Sequence, residues 1–172
     1  MIYAIAIGSN FSSKFGNPTN SLKTVIRFLN KRNIQVIKKS KLYLSPPKDF
    51  TSAANIFTNA AILVKTSHNP YQLLLELKKI EALLGRYKYK KNTSRVCDLD
   101  IILMKPHKIN IEKRIDFPCI IPHPEMCSRN FVLKPLLDIC PNWIHPEKNM
   151  SISSLIKSNY LRDKVYKASN IL

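Results

Sequence analysis

A chain of 172 residues with 45% apolar and 23% charged side chains can bury a substantial core and is too apolar to stay disordered. Its 28 basic and 11 acidic residues leave a net charge of +17, which points to a polyanionic partner: nucleic acid, an anionic membrane surface or the phosphate tail of a nucleotide. The opening apolar stretch, Ile2 to Ile7, is too short to cross a bilayer and lacks the flank and cleavage site of a secretory signal, so one cytoplasmic domain over residues 1–172 is expected.

In chain order, Ile2 to Ile7 is a continuous, partly β-branched run, a buried strand leading into the turn Gly8-Ser9-Asn10. Asn17 and Pro18 pair as N-cap and first helical residue, and Leu22, Val25, Ile26 and Leu29 recur at helical spacing, which predicts a helix ending near Asn30. Ile34 to Leu44, broken by Lys38, Lys39 and Lys41, suits one long strand with a wet face, stopped by Ser45-Pro46-Pro47. A polar loop over residues 45–55 leads to a strand from Ile56 to Val64. Asn69, Pro70 and Gln72 mark a capping-box start to a second helix with Leu73, Leu74, Leu77, Ile80 and Leu84 as its buried stripe and Gly85 just past its end.

Val96 to Met104 reads as a fourth strand, followed by a turn at Pro106 and a short return from Lys108 to Ile111. Ser128 to Ile139 reads as a helix interrupted or kinked at Pro135, and a short helix follows Ser151. The order strand, helix, strand, strand, helix, strand is the split βαβ arrangement: an α+β, ferredoxin-like fold, its antiparallel sheet carrying helices packed on both sides. Cys97, Cys119, Cys127 and Cys140 lack the two-residue gaps of zinc or redox sites and read as free thiols.

Chemistry concentrates in one place. Asp98 and Asp100 flank Leu99, and residues two apart on a strand share a face, about 6.6 Å apart. Two such carboxylates repel unless a cation lies between them, and hard oxygen ligands suit Mg²⁺, which keeps waters and shares its other sites with phosphates. Upstream, Arg86 to Arg95 carries five positive groups and no acid. Arg86 and Arg95 are able to grip phosphate bidentately, with Lys88, Lys90 and Lys91 as point charges. The same run also suits a solvated loop, or a nucleic-acid patch with Tyr87 and Tyr89 stacking on bases. No Walker A or kinase-type glycine-rich loop occurs, so a nucleotide needs another architecture.

At these residues the chain resembles the 6-hydroxymethyl-7,8-dihydropterin pyrophosphokinase family of folate synthesis, over roughly residues 1–150. Ser94-Arg95-Val96-Cys97-Asp98-Leu99-Asp100-Ile101-Ile102 carries the most specific match. Ala6-Ile7-Gly8-Ser9-Asn10, Ser45-Pro46-Pro47, Phe57-Thr58-Asn59-Ala60-Ala61, Ile80-Glu81 with Gly85-Arg86, Pro122-His123-Pro124 and Arg129 to Leu136 follow the family's order. The resemblance implies transfer of diphosphate from ATP, the co-substrate, to the pterin hydroxyl with release of AMP. Asp98 and Asp100 would hold two Mg²⁺ ions, with Asp98 a candidate proton acceptor. The reduced pterin would meet Ser45, Pro46, Pro47, Phe57, Asn59 and Phe131. Arg86, Arg95, His123 and Arg129 would contact phosphates, with Glu81, Lys88 and Lys91 also on the ATP side. Asn92 and Thr93 stand where the family commonly has Trp and Gly, leaving Tyr89 or Phe50 as alternatives for the aromatic lid. No membrane or nucleic-acid partner is expected, and the chain is expected to be a monomer. The rival reading is a ferredoxin-like RNA-binding module. It predicts aromatics clustered on central strands, which are missing, and carboxylates on its binding face would repel phosphates.

Overall fold

A computed structural model describes residues 1–47, 55–86, 95–105, 109–110, 119–158 and 164–171. Strand β1 (Ile2–Ser9) sends Tyr3, Ile5 and Ile7 into one core and Ala4 and Ala6 toward another, which is why its sequence is apolar throughout rather than alternating. The strand runs two residues into the expected turn, through Gly8 and Ser9. Helix α1 (Pro18–Asn30) begins where Asn17 accepts a hydrogen bond from the Asn20 amide at 3.0 Å, answering one of the orphan donors of the first turn.

Strands β2 (Gln35–Lys39) and β3 (Lys41–Ser45) both pair with β4 (Phe57–Lys65). The single long strand expected here is divided at Ser40. That buried residue donates its amide to the Ala61 carbonyl at 2.9 Å, accepts from the Ala61 amide through Oγ at 2.9 Å, and turns its hydroxyl onto the Lys41 carbonyl. A side chain thus takes over part of the ladder between the two pieces.

Helix α2 (Pro70–Leu83) opens on the full capping box of Asn69 and Gln72 and closes before Gly85, whose φ of 105° lies in the left-handed region. Strand β5 (Asp98–Lys105) follows, then the short pair β6 (Ile109–Asn110) and β7 (Ile120–Ile121). Helix α3 (Asn130–Ile139) starts two residues later than expected, after a 3-10 turn at Met126–Ser128, and continues through Pro135. Helix α4 (Ile152–Ser158) lies where a short helix was expected, and β8 (Tyr166–Ile171), not anticipated, pairs with β3.

The main sheet runs β5-β1-β4-β3-β8, with β2 beside β4, and each of these pairs is antiparallel. Leu22, Val25 and Leu29 of α1 and Leu73, Leu77 and Ile80 of α2 pack on one face. Val132, Leu133 and Leu136 of α3 and Leu155 of α4 pack against Ala4, Ala61 and Ile102 on the other. This is the expected α+β split βαβ layout with helices on both sides.

Candidate active site

Register decides which side chains meet. Gly8 pairs with Asn59 on one side and Asp98 on the other, and Ala6 pairs with Asp100. Asn59, Asp98 and Asp100 therefore stand on the α3 face of the sheet, while Leu99 between the acids is fully buried on the α1–α2 side. A Cβ on Gly8 would lie 3.4 Å from Asn59 Oδ1, so glycine keeps the floor between β4 and β5 low.

A cleft opens above this floor, lined among others by Ser45, Pro46, Phe57, Asn59, Arg95, Asp98, Asp100, His123, Arg129 and Phe131. Most of the residues singled out in the sequence thus converge. Pro47 is half-buried beside Pro46 without lining the cleft, and Lys88, Lys91, the lid candidates and residues 87–94 as a whole lie outside the described residues.

The two acids differ in circumstance. Asp98 receives Arg86 on Oδ1 and Arg95 on Oδ2; burial opposes its ionisation, but the two guanidiniums prevail and hold its carboxyl below the usual range. Burial and then the Asp98 charge push the Asp100 carboxyl up. Burial and its neighbour's charge thus make Asp100 the more basic acid of the pair, and among the described residues none donates a hydrogen bond to it, which leaves it an open oxygen donor for a cation. The donor set fits Mg²⁺ in the manner of sites that hold the ion through one or two carboxylates and complete its sphere with water and phosphate. Among the described residues no group of three His, Cys, Asp or Glu side chains converges as an all-protein cage would require.

Opposite the acids, Asn59 donates Nδ2 to Ser45 Oγ at 3.0 Å and to the Tyr43 and Phe57 carbonyls at 3.4 Å. Its Oδ1 offers an acceptor, and the Phe131 ring lines the same cleft with the Arg129 guanidinium 5.7 Å from its centre. His123 follows the cis Ile121–Pro122 bond and accepts the Glu125 amide at Nδ1, which leaves Nε2 to carry the ring N–H. Burial lowers its pKa, so the imidazole enters the cleft as a neutral donor.

Glu81 departs from the sequence reading most sharply. It is 0% exposed, and its carboxylate takes Lys78 on both oxygens at 3.1 Å, Arg86 at 2.8 Å and the Leu99 amide at 2.8 Å. It presents no surface to the cleft, and what it offers the site is the position of Arg86 and of the first residues of β5. Arg86 likewise stands behind Asp98 rather than on the lining. Lys78 escaped the sequence reading altogether, its one signal being the i,i+3 spacing to Glu81. The sequence reading puts Ala6 in the first strand and Gly8 in the turn after it, both within a family motif, but not as the floor of a cleft.

Fold and cleft together define an α+β protein of the split βαβ class, with paired carboxylates and guanidiniums at one end of its sheet. Residues 4–141 match the model of the 7,8-dihydro-6-hydroxymethylpterin-pyrophosphokinase (HPPK) family. The chain is 36% identical over 137 residues to the 2-amino-4-hydroxy-6-hydroxymethyldihydropteridine pyrophosphokinase of Bacillus subtilis, covering 79% of this chain and 76% of that protein. It is 41% identical over 150 residues to the folic acid synthesis protein fol1 of Pneumocystis carinii, covering 87% of this chain but 19% of that one. Against a crystal structure of Plasmodium falciparum HPPK-DHPS the TM-score is 0.71 at 18% identity, over 91% of this chain and 45% of the other. The chain belongs to the HPPK family. It spans about a fifth of the length of the Pneumocystis and Dictyostelium relatives, and among the described residues no helix is long and apolar enough to cross a membrane.

Proposed function

We propose that this chain transfers the terminal diphosphate of ATP to the hydroxymethyl group of 6-hydroxymethyl-7,8-dihydropterin, releasing AMP. The observation that carries the reading is the pairing, across Gly8, of an acid half (Asp98, Asp100) with a heterocycle half (Asn59, Phe131) in one cleft. The family and its Bacillus relative support the same activity.

In this reading Asp98 and Asp100 would hold two Mg²⁺ ions. Bound Mg²⁺ supplies neutralisation of the triphosphate charge. Phe131 stacks on the flat pterin, and Asn59 Oδ1 with groups near Ser45, Pro46, Pro47 and Phe57 reads its edge. Arg95, Arg129 and neutral His123 hold phosphate oxygens, joined by Lys88 and Lys91, while Arg86 and Glu81 keep Asp98 in place. The pterin oxygen forms a bond to the β-phosphorus as the bond from that phosphorus to the oxygen leaving with AMP breaks, and the hydroxyl proton departs to a carboxylate or to water. Alignment and charge supply most of the acceleration. Residues 1–172 act as a cytoplasmic monomeric domain that binds neither nucleic acid nor membrane.

The test is AMP release with ATP and Mg²⁺, with and without hydroxymethyldihydropterin. Pterin-dependent AMP is expected, abolished in Asp98→Ala with the fold intact and unaffected by added single-stranded RNA. Absence of pterin-dependent AMP, full activity in Asp98→Ala, or displacement of ATP by RNA sinks the reading.

A further inference from the structure

Asn10 is 1% exposed at the point where β1 leaves the sheet, one residue beyond the last ladder pair of Ser9 with Thr58. Its side chain joins what the ladder no longer joins. Oδ1 accepts the Arg95 amide at 2.6 Å, Nδ2 donates to the Asn55 carbonyl at 3.2 Å, and the Asn10 amide donates to the Arg95 carbonyl at 3.0 Å. Arg95 is thus held through both of its backbone polar groups, three residues before Asp98, which its guanidinium meets. Asn55 stands two residues before Phe57, at the entry to the strand that carries Asn59.

We propose that Asn10 is a positioning residue that fixes the spacing of the two halves of the cleft, the Arg95–Asp98 half entered from β5 and the Phe57–Asn59 half entered from β4. Only a side-chain amide does this work, because it offers an acceptor to Arg95 and a donor to Asn55 from one planar group. Aspartate keeps the Arg95 bond and turns a carboxylate oxygen against the Asn55 carbonyl. Alanine leaves the Arg95 amide without that acceptor in a closed site. The assignment rests on the proposed reaction for its kinetic consequence, whereas the clasp itself is testable without turnover.

Asn10→Asp and Asn10→Ala are compared with the unaltered chain by amide hydrogen exchange and by steady-state kinetics with each substrate varied. The Arg95 amide is expected to stay protected in Asn10→Asp and to exchange about tenfold faster in Asn10→Ala. Asn10→Asp is expected to raise KM for the pterin about tenfold with KM for ATP within about twofold, since the donor to the Asn55 carbonyl is lost while the acceptor for the Arg95 amide is kept. Unchanged exchange at Arg95 in Asn10→Ala, or equal shifts of both KM values in Asn10→Asp, overturns the proposal. If the unaltered chain releases no pterin-dependent AMP, the reaction fails, and the exchange result still decides the clasp.

Discussion

One residue separates Asp98 from Asp100, yet their surroundings give them opposite properties. Asp98 is answered by two guanidiniums, while Asp100 faces a cleft with a raised pKa and no described donor. A carboxylate left in that condition is unfavourable to the fold by itself and useful only to a ligand. Asp100→Asn is therefore expected to lower kcat by roughly a hundredfold or more while the thermal midpoint stays level or rises, read by AMP assay and calorimetry; a drop in midpoint together with retained turnover contradicts it. The acid pair was legible because any strand puts i and i+2 on one face, and Asn59 and Phe131 were legible through family motifs. The burial of Glu81 was not. A glutamate next to a helix stripe is normally solvated, and it is the tertiary approach of the Leu99 amide, with the nearby Lys78 and Arg86 charges, that accounts for its burial. Asn10 looked like a turn former because its partners lie 45 and 85 positions away.

Elements whose ends are written in local chemistry were read nearly to the residue. Both long helices announce themselves by an asparagine cap and a proline, and α2 stops at a glycine that local backbone geometry demands. Ser40 and β8 escaped for the opposite reason. The break between β2 and β3 depends on a hydroxyl finding the Ala61 amide 21 positions away, and β8 takes its register from β3 rather than from an alternating pattern of its own. Gly85 offers a clean element-scale prediction. Nothing lies within 4 Å of an added Cβ, so Gly85→Ala reports the positive φ alone. It is expected to lower stability by about 1 kcal/mol, measured by urea denaturation, and to lower kcat by displacing Arg86 from Asp98. No loss of stability means that the turn relaxes freely.

Across the molecule, the sheet and the α3 layer are tied by Asp138, which accepts the Tyr43 hydroxyl at 3.1 Å and the Lys41 amide at 3.0 Å. Burial first, then the bond and charge of Asp138, push the Tyr43 pKa from its ordinary value of 10.0 to about 12. A group whose folded pKa is raised gives stability that is complete below its unfolded value and is lost as pH climbs through the folded one. Stability is therefore expected to fall between pH 10 and about 12, less steeply in Tyr43→Phe, when denaturation midpoints are followed across that range. Equal slopes in the two proteins assign the alkaline loss elsewhere. The same whole-molecule view gives the sealed Glu81 its meaning. An unbroken line of charge, Lys78 to Glu81 to Arg86 to Asp98 to Arg95, runs from the oily interior out to the reaction chamber. The packing that seals Glu81 and the placement of the cleft's leading aspartate are therefore linked through the one guanidinium they share, that of Arg86.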